Sequence, residues 1–246
     1  MPSTCGLPTK PLGARLRTTR GSVRRVTGGD SAFMALVRAV AAGDAATTHQ
    51  LLAASPGLAA ARAQHAATRQ HPNDYYFDEI QHHLYVGDTA LHVAAAGYRH
   101  DLARSLVRRG FDVGAKNHRG AEPLHYAADG MPGSACWDPA AQAATIAYLI
   151  EAGADPNARD KSQVAPLHRA VRTRCAAAVR ALLAGGADPQ LTNRRGSTPL
   201  MLATRSTGRG GSGSPEARAQ QEEIVRLLEH DPSGRGPRLR RVSEAM

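Results

Sequence analysis

A chain of 246 residues is long enough for one large core or for a row of small stacked units, and its cysteines, Cys5, Cys136 and Cys175, are too few and too scattered for a disulfide framework or a thiolate zinc site. The formal charge of +10 invites a nucleic-acid reading. Yet residues 1–29 hold six Lys or Arg and no acid, residues 231–246 hold four Arg against two acids, and the body between carries only +2.

In chain order, residues 1–29 are a basic tail poor in large apolar residues, a composition that predicts no fixed structure. The apolar stretch 32–37 behind Arg24 and Arg25 is shorter than the roughly 7–15 residues of a secretory signal core, so it is read as the start of the fold, with Met34 as a second candidate start codon. No run approaches the roughly 18 apolar residues of a membrane span. Together with the cysteine pattern, this predicts a cytoplasmic chain with no membrane contact. A first helix pair is expected over 31–61, where Leu36-Val37 and Leu51-Leu52 stand 15 apart around the turn at Gly43-Asp44. Residues 62–83 then exceed what such a unit needs and are an insertion.

From there one pattern recurs. Thr89-Ala90-Leu91-His92, Glu122-Pro123-Leu124-His125, Ala165-Pro166-Leu167-His168 and Thr198-Pro199-Leu200-Met201 place their leucines 33, 43 and 33 residues apart. Gly110-Phe111-Asp112, Gly153-Ala154-Asp155 and Gly186-Ala187-Asp188 repeat in step. Asp88 and Ser197 are expected to cap the first helix of their units, and proline suits its first turn. Ala94-Ala95 and Ala127-Ala128 allow close helix approach, Leu106-Val107, Leu149-Ile150, Leu182-Leu183 and Leu227-Leu228 mark the second helices, and the glycines suit helix ends. Units are thus expected at 87–119, 120–162, 163–195 and 196–231, with extra residues near 130–139 and 208–214. The stretch 232–246 is a second basic tail.

These motifs resemble the ankyrin-repeat family, in a bacterial-type version with insertions, over roughly residues 31–230. The resemblance implies an all-α solenoid of about five helix pairs joined by β-turn-like finger loops, degenerate at both ends. Gln163 departs from the pattern, since the other units place Gly87, Gly120 or Gly196 there, and Asp231 stands where a helix-ending glycine is expected.

Eleven histidines call for a metal test. His92, His125 and His168 share one repeat position, so neighbouring helices set them roughly 8–10 Å apart, too far to share a zinc whose nitrogen ligands each lie about 2.0–2.1 Å away. The resemblance implies that this histidine bonds backbone between repeats. In the insertion, His71, Asp74, Asp78, Glu79, His82 and His83 match no metal-ligand spacing. Cys136 beside His125 lacks an oxyanion hole and a third orienting group. No Gly-rich loop ends in Lys-Ser or Lys-Thr. The expectation is no catalytic residue, no metal and no cofactor.

The resemblance implies that a partner binds at the finger tips and on the concave face of the first helices. On this chain those positions include Arg119, Lys161, Arg194 and Arg195 at the tips and Tyr126, Asp129, Arg169, Arg172 and Arg205 on the first helices, the latter expected to be exposed. Cations there outnumber acids. Tyr75, Tyr76 and Phe77 in the insertion and Trp137, the single tryptophan, are either packing anchors or contact residues for the partner. The expected role is a monomeric, non-catalytic adaptor for another protein, an acidic one; the alternative is nucleic-acid association through the Arg-rich tails.

Overall fold

The computed structural model describes residues 28–65, 75–134, 137–205 and 215–229. The two basic tails, Cys136, His71, Asp74 and the glycine-rich stretch 208–214 lie outside those residues. Within them the chain forms ten α-helices: α1 (Gly28–Ala42), α2 (Ala45–Ala54), α3 (Ala90–Ala96), α4 (His100–Arg108), α5 (Pro123–Ala128), α6 (Pro139–Glu151), α7 (Pro166–Arg172), α8 (Ala176–Ala184), α9 (Pro199–Thr204) and α10 (Pro215–Glu229). They pair in sequence, giving an all-α solenoid of five helix pairs. The inner helices α1, α3, α5, α7 and α9 stack one on the next, and the outer helices α4, α6, α8 and α10 do likewise. None is long and apolar enough to cross a membrane.

Each inner helix is short because its residues serve a single purpose. All seven residues of α3 are buried, and the small side chains of Ala94 and Ala95 let α1 and α5 approach from either side. Local hydrogen bonds fix where these helices start. The Thr89 amide donates to His92 Nδ1 at 3.1 Å, and the Glu122 and Ala165 amides do the same to His125 and His168 at 3.2 Å. In α9, where Met201 replaces the histidine, the Thr198 hydroxyl oxygen instead accepts the Met201 amide at 3.3 Å. The caps therefore fall one residue later than Asp88 and Ser197. The reason is that Asp88 is drawn inward by partners far along the chain, described below.

Gly87 shows why the turn before each inner helix favours glycine: its φ is +85°, and a Cβ there would sit 3.0 Å from the Asn117 Cα. Gln163 nevertheless adopts the same turn, with φ +59°. The fourth unit thus accepts a strained backbone and keeps the register.

The insertion after α2 ends in a two-residue antiparallel hairpin, β1 (Tyr76–Phe77) with β2 (His82–His83). Phe77 and Leu84 anchor it in the core, and the missing side chain of Gly97 leaves room for Ile80. The Ser134 hydroxyl donates to Gln81 Oε1 at 3.2 Å, which ties the hairpin to the long loop between α5 and α6. That loop is itself pinned: Trp137 Nε1 donates to Gln142 Oε1 at 2.9 Å, and Asp138 accepts the Ala140 and Ala141 amides to cap α6.

Leu124 and Leu167 occupy the same place in successive inner helices, and both are fully buried. Replacing either with Ala is expected to cost about 2–5 kcal/mol through the cavity left in a stacked interface. Chemical denaturation checks this; a loss under about 0.5 kcal/mol would mean that the stacking register is different.

Candidate functional site

Three finger loops share one construction. Asn117, Asp160 and Asn193 each turn a side-chain oxygen back onto the amides two and four residues ahead: Arg119 and Ala121, Ser162 and Val164, Arg195 and Ser197, at 2.7–3.2 Å. Adjacent fingers are joined through backbone. The Lys161 amide donates to the Arg119 carbonyl at 2.9 Å, and the Arg194 amide to the Ser162 carbonyl at 3.0 Å. Because the side-chain oxygens satisfy the turn amides internally, the tip side chains are left pointing to water. Arg119, Lys161, Arg194 and Arg195 are all exposed.

Between these tips and the inner helices runs a concave groove of about 1230 Å³, which extends from His82 and Tyr85 to Arg205. Seven Lys or Arg line it against two acids, Asp129 and Asp160. Both acids are already engaged. Asp129 receives Arg169 Nη1 at 2.8 Å and lies 3.7 Å from Arg172 Nη2, and Asp160 lies 3.5 Å from Arg169 Nη2. Burial works against the charge on Arg169, but Asp129, Tyr126 and Asp160 together outweigh it and raise the guanidinium pKa. The other five cations, Arg119, Lys161, Arg194, Arg195 and Arg205, form no ion pair among the described residues. Arg119 is held instead over the Tyr85 ring, 4.1 Å from its centroid.

Several expected contact residues are buried or half-buried. Tyr126 lines the groove but is only 3% exposed, and its hydroxyl donates to the Asp88 carboxylate at 2.9 Å. Asn117 Nδ2 also donates to Asp88, at 2.9 Å, and the Tyr85 amide at 2.7 Å. Burial raises the pKa of Asp88, and burial followed by the adjoining Asp88 raises that of Tyr126 well above its usual value. The Arg169 side chain, expected to be exposed, is only 13% so. Phe77, 8% exposed, belongs to the core. Tyr75 and Trp137 are half-buried and packed on the core, and Tyr76 is half-buried with its ring centroid 4.8 Å from that of His83. Arg172 and Arg205 do line the groove, the latter exposed.

The repeated histidines spend both nitrogens. Their Nδ1 atoms accept the helix-start amides, while Nε2 of His92, His125 and His168 donates to the carbonyls of Ala121, Val164 and Ser197 at 3.0–3.2 Å. Burial holds His92 neutral, with its pKa lowered to about 3, and His125 likewise to about 4. His82, whose ring lies 4.6 Å from that of Tyr126, is also lowered by burial. Among the described residues no three His, Cys, Asp or Glu side chains gather as a metal requires.

The Asp88, Asn117 and Tyr126 cluster was not anticipated from sequence. Its one signal is Asp88 itself, an acid where the other units carry Ala121, Val164 and Ser197.

Stacked helix pairs, backbone-linked fingers and a concave groove define a repeat solenoid. Residues 86–118 and 119–161 each match the ankyrin repeat, and residues 149–203 match a model of ankyrin repeats in many copies. Residues 86–203 thus match ankyrin repeats, and the all-α solenoid is consistent with the ankyrin-repeat fold. Mouse "Ankyrin repeat and SOCS box protein 16" is 35% identical over 130 residues, 52% of this chain and 28% of that protein. The chain thus aligns with less than a third of that relative's length. Ankyrin repeats generally mediate protein–protein interaction and are typically non-catalytic.

Proposed function

We propose that this chain is a non-catalytic binding scaffold whose concave groove receives an acidic segment of a partner protein. The observation that carries the reading is the asymmetry of the groove: both of its acids are consumed by Arg169 and Arg172, while five cations have no ion pair among the described residues. Such a field speeds encounter with acidic partners and rejects basic ones. The reading includes five units bounded near 31–61, 87–119, 120–162, 163–195 and 196–231, a cytoplasmic setting favoured by the scattered cysteines, and a monomeric chain.

A fluorescent hexaglutamate peptide provides the test. Lys161→Glu combined with Arg205→Glu is expected to weaken its binding at least tenfold with little change in unfolding midpoint, since both side chains are exposed. Removal of residues 1–27 and 231–246 should leave that binding in place. The opposite pattern, binding insensitive to the groove reversal but lost with the tails, would favour nucleic-acid association through the Arg-rich ends, with steep salt dependence toward oligonucleotides.

A further inference from the structure

We infer that the cleft between α2 and α4, on the outer layer of the solenoid and apart from the groove, is a binding site for a phosphate monoester carried on a side chain of a protein partner. The outer helices stack closely from α4 to α10, whereas α2 makes little contact with α4. The other outer seams are filled. The His100 and Tyr148 rings meet edge to face with centroids 5.6 Å apart, Gly185 leaves room for Ile150, and Arg180 Nη2 pairs with Glu223 at 2.6 Å. Between α2 and α4 the described contact is a polar pair, His49 Nε2 and Ser105 Oγ at 2.8 Å. A cleft of about 560 Å³ stays open beside it.

Arg104, Arg108 and Arg109 line that cleft together with Asp101, Ser105 and His49. The five residues from α4 and its end fall at i, i+3, i+4, i+7 and i+8, so the helix turns them all to one side. None of the three arginines forms an ion pair among the described residues. The facing helix offers them no countercharge: α2 contains no acid, and Asp44 before it is engaged as its cap, accepting the Thr47 amide at 3.0 Å. Asp101, the acid of the cleft, is 95% exposed and lies 3.2 Å from His100 Nδ1. Like charges four residues apart on a helix repel, so Arg104 and Arg108 weaken α4 until an anion comes between them.

A phosphate monoester suits this set better than a carboxylate, because it brings about two negative charges and three strong acceptor oxygens to the guanidinium groups. His49 and Ser105 add a ring nitrogen and a hydroxyl that can donate to the remaining oxygens. A membrane surface would call for exposed apolar side chains beside the charge. The large apolar side chains most exposed among the described residues, Val86, Met131 and Met201, lie elsewhere. Nucleic acid would call for rings on which bases stack, and among the described residues no Tyr, Phe or Trp lines the cleft.

The experiment uses the full-length chain and three fluorescent Gly/Ser peptides that differ only at the central residue, which is phosphoserine, glutamate or serine. Fluorescence anisotropy is expected to show the phosphoserine peptide binding about tenfold more tightly than the glutamate peptide, and the serine peptide more weakly still. Inorganic phosphate should displace it. Arg104→Gln with Arg108→Gln should abolish the preference, while a thermal melt shows the variant folded, as two exposed substitutions allow. Lys161→Glu with Arg205→Glu, in the groove, should leave the preference unchanged. Equal binding of the phosphoserine and glutamate peptides, binding of neither, or no competition by inorganic phosphate would overturn the proposal. A preference lost with the groove variant and kept by the cleft variant would also overturn it, while leaving the scaffold reading in place. Phosphoinositide-containing vesicles, or an oligonucleotide, that bind through Arg104 and Arg108 more tightly than the phosphoserine peptide would overturn it in favour of a lipid surface or a nucleic acid.

Discussion

Arg169→Glu is expected to lower the unfolding free energy by about 3–5 kcal/mol, although the residue lies on the concave face where a binding residue would be sought. The guanidinium, from the unit 163–195, bridges Asp129 and Asp160 of the preceding unit and is largely withdrawn from water. A glutamate there would set a third carboxylate beside two others, leave Asp160 without Arg169 and leave Asp129 with Arg172 alone, 3.7 Å away. Arg172→Glu makes the contrast: its side chain is 39% exposed and 3.7 Å from Asp129, so its reversal should cost no more than about 1 kcal/mol. Urea denaturation of the two variants checks this, and an Arg169→Glu midpoint equal to that of the wild type would disprove the bridging role. Arg169→Glu is therefore unsuitable as a binding variant, because lost affinity would report lost structure.

Acidification should produce the second large effect. An ordinary histidine takes a proton near pH 6.5, whereas burial holds His92 down to about 3 and His125 to about 4. Between those values the unfolded chain binds protons that the folded chain refuses, so stability is fully present above about pH 6.5 and drains as pH falls toward 4. Each histidine contributes about 1.4 kcal/mol per pH unit in that window. Two together should remove several kcal/mol between pH 6.5 and 4.5. Thermal midpoints measured across that range provide the check. His125→Gln should flatten the slope, since glutamine does not titrate; an unchanged slope would mean that other groups drive the acid sensitivity.

The helix pairs were legible in the sequence because their determinants are local and repeated. Leu124 and Leu167 mark the buried face of successive inner helices, His92, His125 and His168 bond the amide three residues before them, and the fingers recur at the same offset. The state of the concave side chains was less legible. Tyr126 and Arg169 were expected to be exposed from their helical positions, but Tyr126 is taken up by Asp88, 38 residues away, and Arg169 by Asp129, 40 residues away. Asp88 looked like a helix cap, since nothing nearby in sequence shows that Asn117 and Tyr126 converge on it.

By itself, then, the sequence determined the repeat, its inner and outer helices and the basic character of the fingers, all of which depend on hydrogen bonds and apolar contacts within or between adjacent units. Only the tertiary structure decided which of the described cations are taken up in ion pairs, that the hairpin around Tyr76 and His83 packs on the fold, and that the groove begins at His82 and Tyr85. The reason is physical. A side chain's freedom depends on every charge and ring that stacking brings within a few ångströms, and in this chain those neighbours come from units about 30–40 residues apart.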